Sequence, residues 1–168
     1  MIQLKLRTEY SFGQTFASVD RIAVLGYPII GIVDSSTWGH VAAYNACEKA
    51  QIQSILGVES IVSDSDSTLK MWFLARNTEG LSELYRAVSR AHQQRLGASP
   101  RLFRSDISAM SDNIIKFAGE ITDAPFLKEV DARMDLSPAS MILNARKKSI
   151  ASTHGLPLVS VSDNSYLT

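Results

Sequence analysis

Pro28-Ile29-Ile30-Gly31-Ile32-Val33 is an unbroken apolar run of strand length. A strand without polar alternation is covered on both faces, as in parallel sheets whose crossovers are helices. The rest of the chain fits that requirement. Ile2, Leu4 and Leu6 alternate with Gln3, Lys5 and Arg7, the period of a strand with one buried face. Ser18 caps a short helix that stops at Gly26, and Asp34-Ser35-Ser36-Thr37 leads into a helix from about Trp38 to Ala50. Strands follow at Gln53–Val62 and Leu69–Ala75, separated by the polar turn Ser63-Asp64-Ser65-Asp66-Ser67. Asn77-Thr78-Glu79 opens a long helix with Leu81, Leu84, Tyr85, Val88 and Leu96 on one face. A short helix near 105–110 precedes strands at Ile114–Ala118 and Val130–Met134. A helix begins at Ser137-Pro138, and the last strand is Leu156–Val161. Up to seven strands alternating with helices define an α/β fold with a parallel sheet, either doubly wound or closed as a barrel.

The first strand is not followed by a glycine-rich phosphate loop, so a dinucleotide fingerprint is missing. Seventeen basic residues balance seventeen acidic ones, which excludes nucleic-acid binding driven by net charge alone. One cysteine excludes an intrachain disulfide framework, and three scattered histidines make a His/Cys zinc cluster hard to build. No apolar run reaches the roughly 20 residues of a membrane span.

Functional groups in either architecture collect at the carboxyl ends of the strands. Arg7-Thr8-Glu9-Tyr10-Ser11 leaves the first strand and Asp34-Ser35 the second. Glu59 lies in the third and Asp163-Asn164-Ser165-Tyr166 follows the last. Carboxylates from separate strands can converge on a hard cation, whereas exit loops also carry Asp as turn and cap residues. His40, His92 and His154 read as surface or capping residues, and Cys47 as a buried apolar one. Trp38 and Trp72 read as core or rim. Arg86, Arg90, Arg95, Arg101 and Arg104 read as a solvated face or, less simply, a docking face.

Five stretches, in order, resemble the PHP (polymerase and histidinol phosphatase) domain, in the form found at the N-terminus of bacterial and phage-type DNA polymerase III alpha subunits. They are Leu4–Ser11, Leu25-Gly26-Tyr27-Pro28 through Asp34, Gln51–Glu59, Leu74-Ala75-Arg76-Asn77-Thr78-Glu79-Gly80-Leu81, and Gly155–Val159 with Asp163–Leu167. The resemblance implies a distorted seven-stranded (β/α) barrel. Active members bind metals through histidines, carboxylates and sometimes a cysteine, and hydrolyse phosphoesters. Here the His-x-His position holds Lys5 and Arg7, Asp-His becomes Asp34-Ser35, and Glu59 is retained. The cysteine position falls at Glu120, and Asp-x-His becomes Asp163 and Ser165. Arg offers no lone pair to a metal, and Lys normally none. Lys5 and Arg7 share a strand face, so they are expected to meet Asp34, Glu59 and Asp163 as a salt-bridge cluster where metals would stand.

The implied role is that of a catalytically degenerate domain with no catalytic residue and no cofactor. It would scaffold a replicative polymerase and dock a proofreading exonuclease subunit. Contact with DNA would be indirect, with no membrane partner and a cytoplasmic location. The alternative is a metal-dependent phosphoesterase or 3′–5′ exonuclease using Asp34, Glu59, Glu120 and Asp163 with Mg²⁺ or Mn²⁺. Residues 1–168 read as a single domain, the N-terminal part of a longer polymerase chain. That length is short beside the about 200 or more residues of a full barrel.

Overall fold

Local sequence signals set most element boundaries. The Ser18 side chain accepts from the Arg21 N–H at the start of α1 (Val19–Ala23), and Asn77 accepts from Gly80 at the start of α3 (Thr78–Gln93). Ser140 accepts from Leu143 ahead of α6 (Met141–His154), which ends on Gly155 at φ 67°. Each cap satisfies an N–H that the first turn leaves without a helical partner. The computed structural model describes residues 2–12, 15, 17–64, 67–94, 100–119, 123–137 and 140–161. Arg95, Leu96, Glu120, Pro138, Asp163, Asn164, Ser165, Tyr166 and Leu167 lie outside the described residues.

The other helices are α2 (His40–Lys49), α4 (Arg104–Ser108) and α5 (Ala124–Glu129). The strands are β1 (Gln3–Leu6), β2 (Ile29–Asp34), β3 (Gln53–Ser63), β4 (Thr68–Ala75), β5 (Arg101–Phe103), β6 (Ile114–Ala118), β7 (Arg133–Leu136) and β8 (Leu158–Ser160). They form one sheet in the order β1-β2-β3-β4-β6-β7-β8, with the short β5 paired to β3. The wholly parallel sheet expected from alternation is corrected at β4, which is antiparallel to both β3 and β6. The turn between β3 and β4 is too short for a helical crossover, so the chain must reverse as a hairpin. α5 was also missed, although Asp123 caps it and Pro125 sits in its first turn.

The sheet curls as a half-barrel. Lys5 on β1 lies 5.5 Å over the Trp72 ring on β4, although β2 and β3 intervene in the sheet. β4 divides its side chains by parity. Met71 and Phe73 join Leu84, Ala87, Ile107, Phe126 and Met134 under the helices, whereas Trp72 and Leu74 join Val33, Phe117 and Val161 on the concave side. A third cluster, with Leu6, Ile22, Ile30, Ile32 and Ala43, packs beneath α1 and α2.

Two expectations of simple periodicity are corrected. Within β1 the register shifts, Gln3 facing Ile30 and Leu6 facing Ile32, so Leu4 joins the concave cluster while Leu6 stays on the outer side. A bulge of this kind re-aims side chains at a strand end. On α3 the buried face is Gly80, Leu84, Ala87 and Ala91, and Tyr85 is exposed. No helix among the described residues is long and apolar enough to cross a membrane.

Gly57 leaves no room for a side chain between β3 and β4: an added Cβ would run into the Phe73 carbonyl oxygen. Gly57→Ala is therefore expected to lower stability by about 1–3 kcal/mol. The measurement is the urea midpoint at unchanged m-value.

Candidate functional site

Glu59 sits on the concave side of β3, only 5% exposed. Its Oε2 accepts from Arg7 at 2.8 Å and lies 3.2 Å from Lys5 Nζ, while Lys70 Nζ lies 2.7 Å from Oε1. Lys5 and Arg7 come from β1 and its exit, Lys70 from β4. Trp72 is directly opposite Glu59 in the β3–β4 register, so Lys70, two residues away on the same face, reaches diagonally across. Burial alone would raise the Glu59 pKa; the charges of Lys5, Arg7 and Lys70 outweigh it and hold the carboxyl below its ordinary value.

Asp34 ends β2 and is fully buried, but its hydrogen bonds come from a different source. Oδ1 accepts from the Thr8 N–H at 2.7 Å and the Ser11 hydroxyl at 2.6 Å, and Oδ2 from the Thr8 hydroxyl at 2.7 Å. Asp34 therefore ties down the loop that leaves β1. Ser35 is exposed and gives only its backbone N–H, to Ser11 Oγ at 3.2 Å. Behind this loop His40 is fully buried, with Nε2 3.0 Å from the Gly57 carbonyl and Nδ1 3.4 Å from the Tyr85 hydroxyl. The surface or capping role expected of His40 is thus corrected. Burial lowers its pKa, against the opposing pull of the Gly57 carbonyl and Asp34.

A second buried ion pair shares the cavity. Asp135 on β7 accepts from Trp72 Nε1 at 2.8 Å and from Lys147 at 3.0 Å, and Lys147 also donates to the Asp135 carbonyl at 2.8 Å. Trp72 is itself stacked on Phe117, with centroids 3.7 Å apart. Lys5, Arg7, Glu59, Lys70, Asp135 and Lys147 all line one cavity of about 200 Å³. Among the described residues no three His, Cys, Asp or Glu side chains are grouped to hold a metal ion.

This half-barrel, with charged side chains gathered on its concave side, matches the PHP domain family model over residues 3–146. The chain belongs to the PHP domain family. Two DNA polymerase III alpha subunits from strains of Staphylococcus epidermidis are 32% identical to it over 74 residues. Those matches cover 44% of this PHP domain chain and only 7% of each relative's length. A protein from Bifidobacterium adolescentis described as a metal-dependent phosphoesterase superposes with a TM-score of 0.65 at 14% identity, over 95% of this chain and 87% of its own. An amidohydrolase from Chromobacterium violaceum, with bound sulfate and no metal, gives 0.67 at 15% identity over 98% and 87%. These two likenesses establish the PHP-type fold.

The structure brings together Lys5, Arg7 and Glu59 as the sequence suggested, and holds Asp34 apart on Thr8 and Ser11. Glu120, Asp163 and Ser165 lie outside the described residues. Sequence reasoning missed Lys70, Asp135 and Lys147. Lys70-Met71-Trp72 carried a usable signal, since alternate residues share a strand face. Lys147 was hidden in Arg146-Lys147-Lys148, though its i+4 spacing to the buried Ala151 marks the inward face. The arginine stretch is also not a plain solvated face: Arg104 pairs with Asp123 at 2.5 Å and Asp64 at 3.3 Å, and lies 4.6 Å over the Phe126 ring.

Both pKa shifts make the unfolded chain bind more protons in acid. The His40 contribution is complete above its ordinary value of 6.5 and is lost as pH falls below that value. The Glu59 contribution is complete above its ordinary 4.5 and is lost as pH falls through its lower folded value. Glu59→Gln is expected to cost about 3–5 kcal/mol at neutral pH, because it leaves buried cations without their partner. It should also flatten the stability profile below pH 4.5 while leaving the His40 limb, as read by urea titrations across pH.

Proposed function

We propose that this chain is a PHP domain whose metal centre has become an ion-pair centre. It acts as a non-hydrolytic scaffold in a replicative polymerase of the DNA polymerase III alpha type and docks a proofreading exonuclease subunit. The observation that carries this reading is the convergence of Lys5, Arg7 and Lys70 on Glu59.

The residues present do not fit a metal cluster. Both Glu59 oxygens already hold cations, and both Asp34 oxygens accept hydrogen bonds from Thr8 and Ser11. A dication entering beside Lys5 and Arg7 would meet two like charges in a poorly solvated pocket. The polymerase context rests on the similarity to the staphylococcal alpha subunits. The competing reading, a phosphoesterase or 3′–5′ exonuclease that uses the remaining carboxylates with Mg²⁺ or Mn²⁺, draws on the likeness to a metal-dependent phosphoesterase.

Elemental analysis of protein purified without chelator separates the two. The expected result is less than stoichiometric Mn, Zn or Fe, and no hydrolysis of a chromogenic phosphodiester or a labelled single-stranded 3′ end with added Mn²⁺. Stoichiometric metal, or turnover abolished by Asp34→Asn, would establish the competing reading. Docking is checked by co-purification with the exonuclease subunit encoded in the same genome, which the scaffold reading expects to be retained.

A further inference from the structure

We infer that the aromatic rim at the mouth of the half-barrel is a stacking platform for single-stranded nucleic acid. Three rings from three separate segments stand in series. Phe12 follows β1, Trp38 follows β2, and His92 is in the last turn of α3. Phe12 and Trp38 have centroids 5.7 Å apart, and Trp38 stacks on His92 at 6.4 Å and 28°. Phe12 is 69% exposed and Trp38 62%. A single exposed apolar residue is ordinary, whereas a contiguous exposed group marks an interaction site.

The chemistry beside the rings selects the occupant. His92 borders a cavity of about 300 Å³ whose wall also carries Glu59 and Lys70. Glu59 is neutralised by its three cations, so this wall does not repel a polyanion, and the Lys70 side chain is 47% exposed. On a separate shallow groove along α3 the exposed Tyr85 and Arg86 lie with Arg90, which is itself 3.7 Å from Asp106. Every nucleobase has a face that stacks on such rings, and a backbone phosphate suits an ammonium such as that of Lys70. A duplex hides its base faces, which favours single strands. The three stacked positions are all rings, and His92 at the end of the row shares its cavity with the half-exposed Lys70 ammonium, so a nucleic acid fits the row better than an apolar protein segment. Contact with DNA would then be direct, where the sequence suggested only indirect contact. This inference goes beyond the scaffold reading and stands whether or not the buried ion pairs replace a metal.

The chain carries its own reporter. It has two tryptophans, and Trp72 is 1% exposed whereas Trp38 faces solvent. Titration with oligothymidylate of about 12 nucleotides should quench Trp38 fluorescence saturably and lose affinity as salt rises. By anisotropy of the labelled oligonucleotide, Trp38→Ala should weaken binding about tenfold. Trp38→Phe should retain most of the affinity. Met141→Ser, on the exposed start of α6, should change nothing. Because Trp38 is exposed, Trp38→Ala is expected to keep the parent circular dichroism. Three results would overturn the inference: no quenching, equal affinity in Trp38→Ala, or duplex bound as well as single strand. Concentration-dependent self-association that Trp38→Ala abolishes, without oligonucleotide binding, would instead assign the rim to a second copy of the chain.

Discussion

One carboxylate shared by three cations organises the concave side of this domain. Glu59 has a single negative charge and two oxygens, and Lys5, Arg7 and Lys70 reach it from two strands on either side of its own. Buried charges are tolerated only when paired and hydrogen-bonded. The curl of the sheet is what supplies those partners, because β1 and β4 are separated by β2 and β3 in the hydrogen-bonded order. The same packing sets Trp72 under Lys5 and directs its indole N–H to Asp135. A flat sheet would leave Glu59 without Lys5 and Arg7. In that sense the ion pairs and the curvature depend on each other.

Asp34 shows how the surrounding scaffold can reassign a residue without changing it. A carboxylate at the end of β2 is well placed to serve an ion, yet here it accepts three hydrogen bonds from Thr8 and Ser11 and fixes the loop after β1. That loop carries Phe12 outward to the rim, next to Trp38. The buried polar network and the exposed aromatic row are therefore two sides of one local structure. His40 belongs to it as well: it sits between the Gly57 carbonyl and Tyr85, linking the β3–β4 contact to the face of α3.

Much of the fold was legible because local signals were strong. Ser18 and Asn77 cap where their spacing required, and the Pro28–Val33 run became a strand with parallel partners on both sides. The direction of β4 was less accessible, since strand direction depends on loop length and on pairing partners distant in sequence. The register shift in β1 was hidden for a related reason: alternation assumes a regular partner, and Gln3 and Leu6 do not keep one. For the site, Lys5, Arg7 and Glu59 were legible as positions of the PHP motifs, Lys5 within β1, Arg7 just after it and Glu59 inside β3. Lys147 could not, because burial of one lysine in a basic run depends on the helix face that meets β7. Asp135 fell just beyond the strand boundary assigned from sequence.

The PHP family match and the fold likeness describe a scaffold that this chain shares with a protein described as a metal-dependent phosphoesterase. What this chain does with that scaffold turns on whether its two β1 cations carry the Glu59 charge. The most direct measurement is the stability of the Lys5→Met/Arg7→Met double variant against pH, by thermal and urea unfolding. The account predicts a large loss at neutral pH, on the order of 3–5 kcal/mol, that narrows in acid as Glu59 takes a proton. A double variant as stable as the parent at neutral pH, or a loss independent of pH, would contradict it.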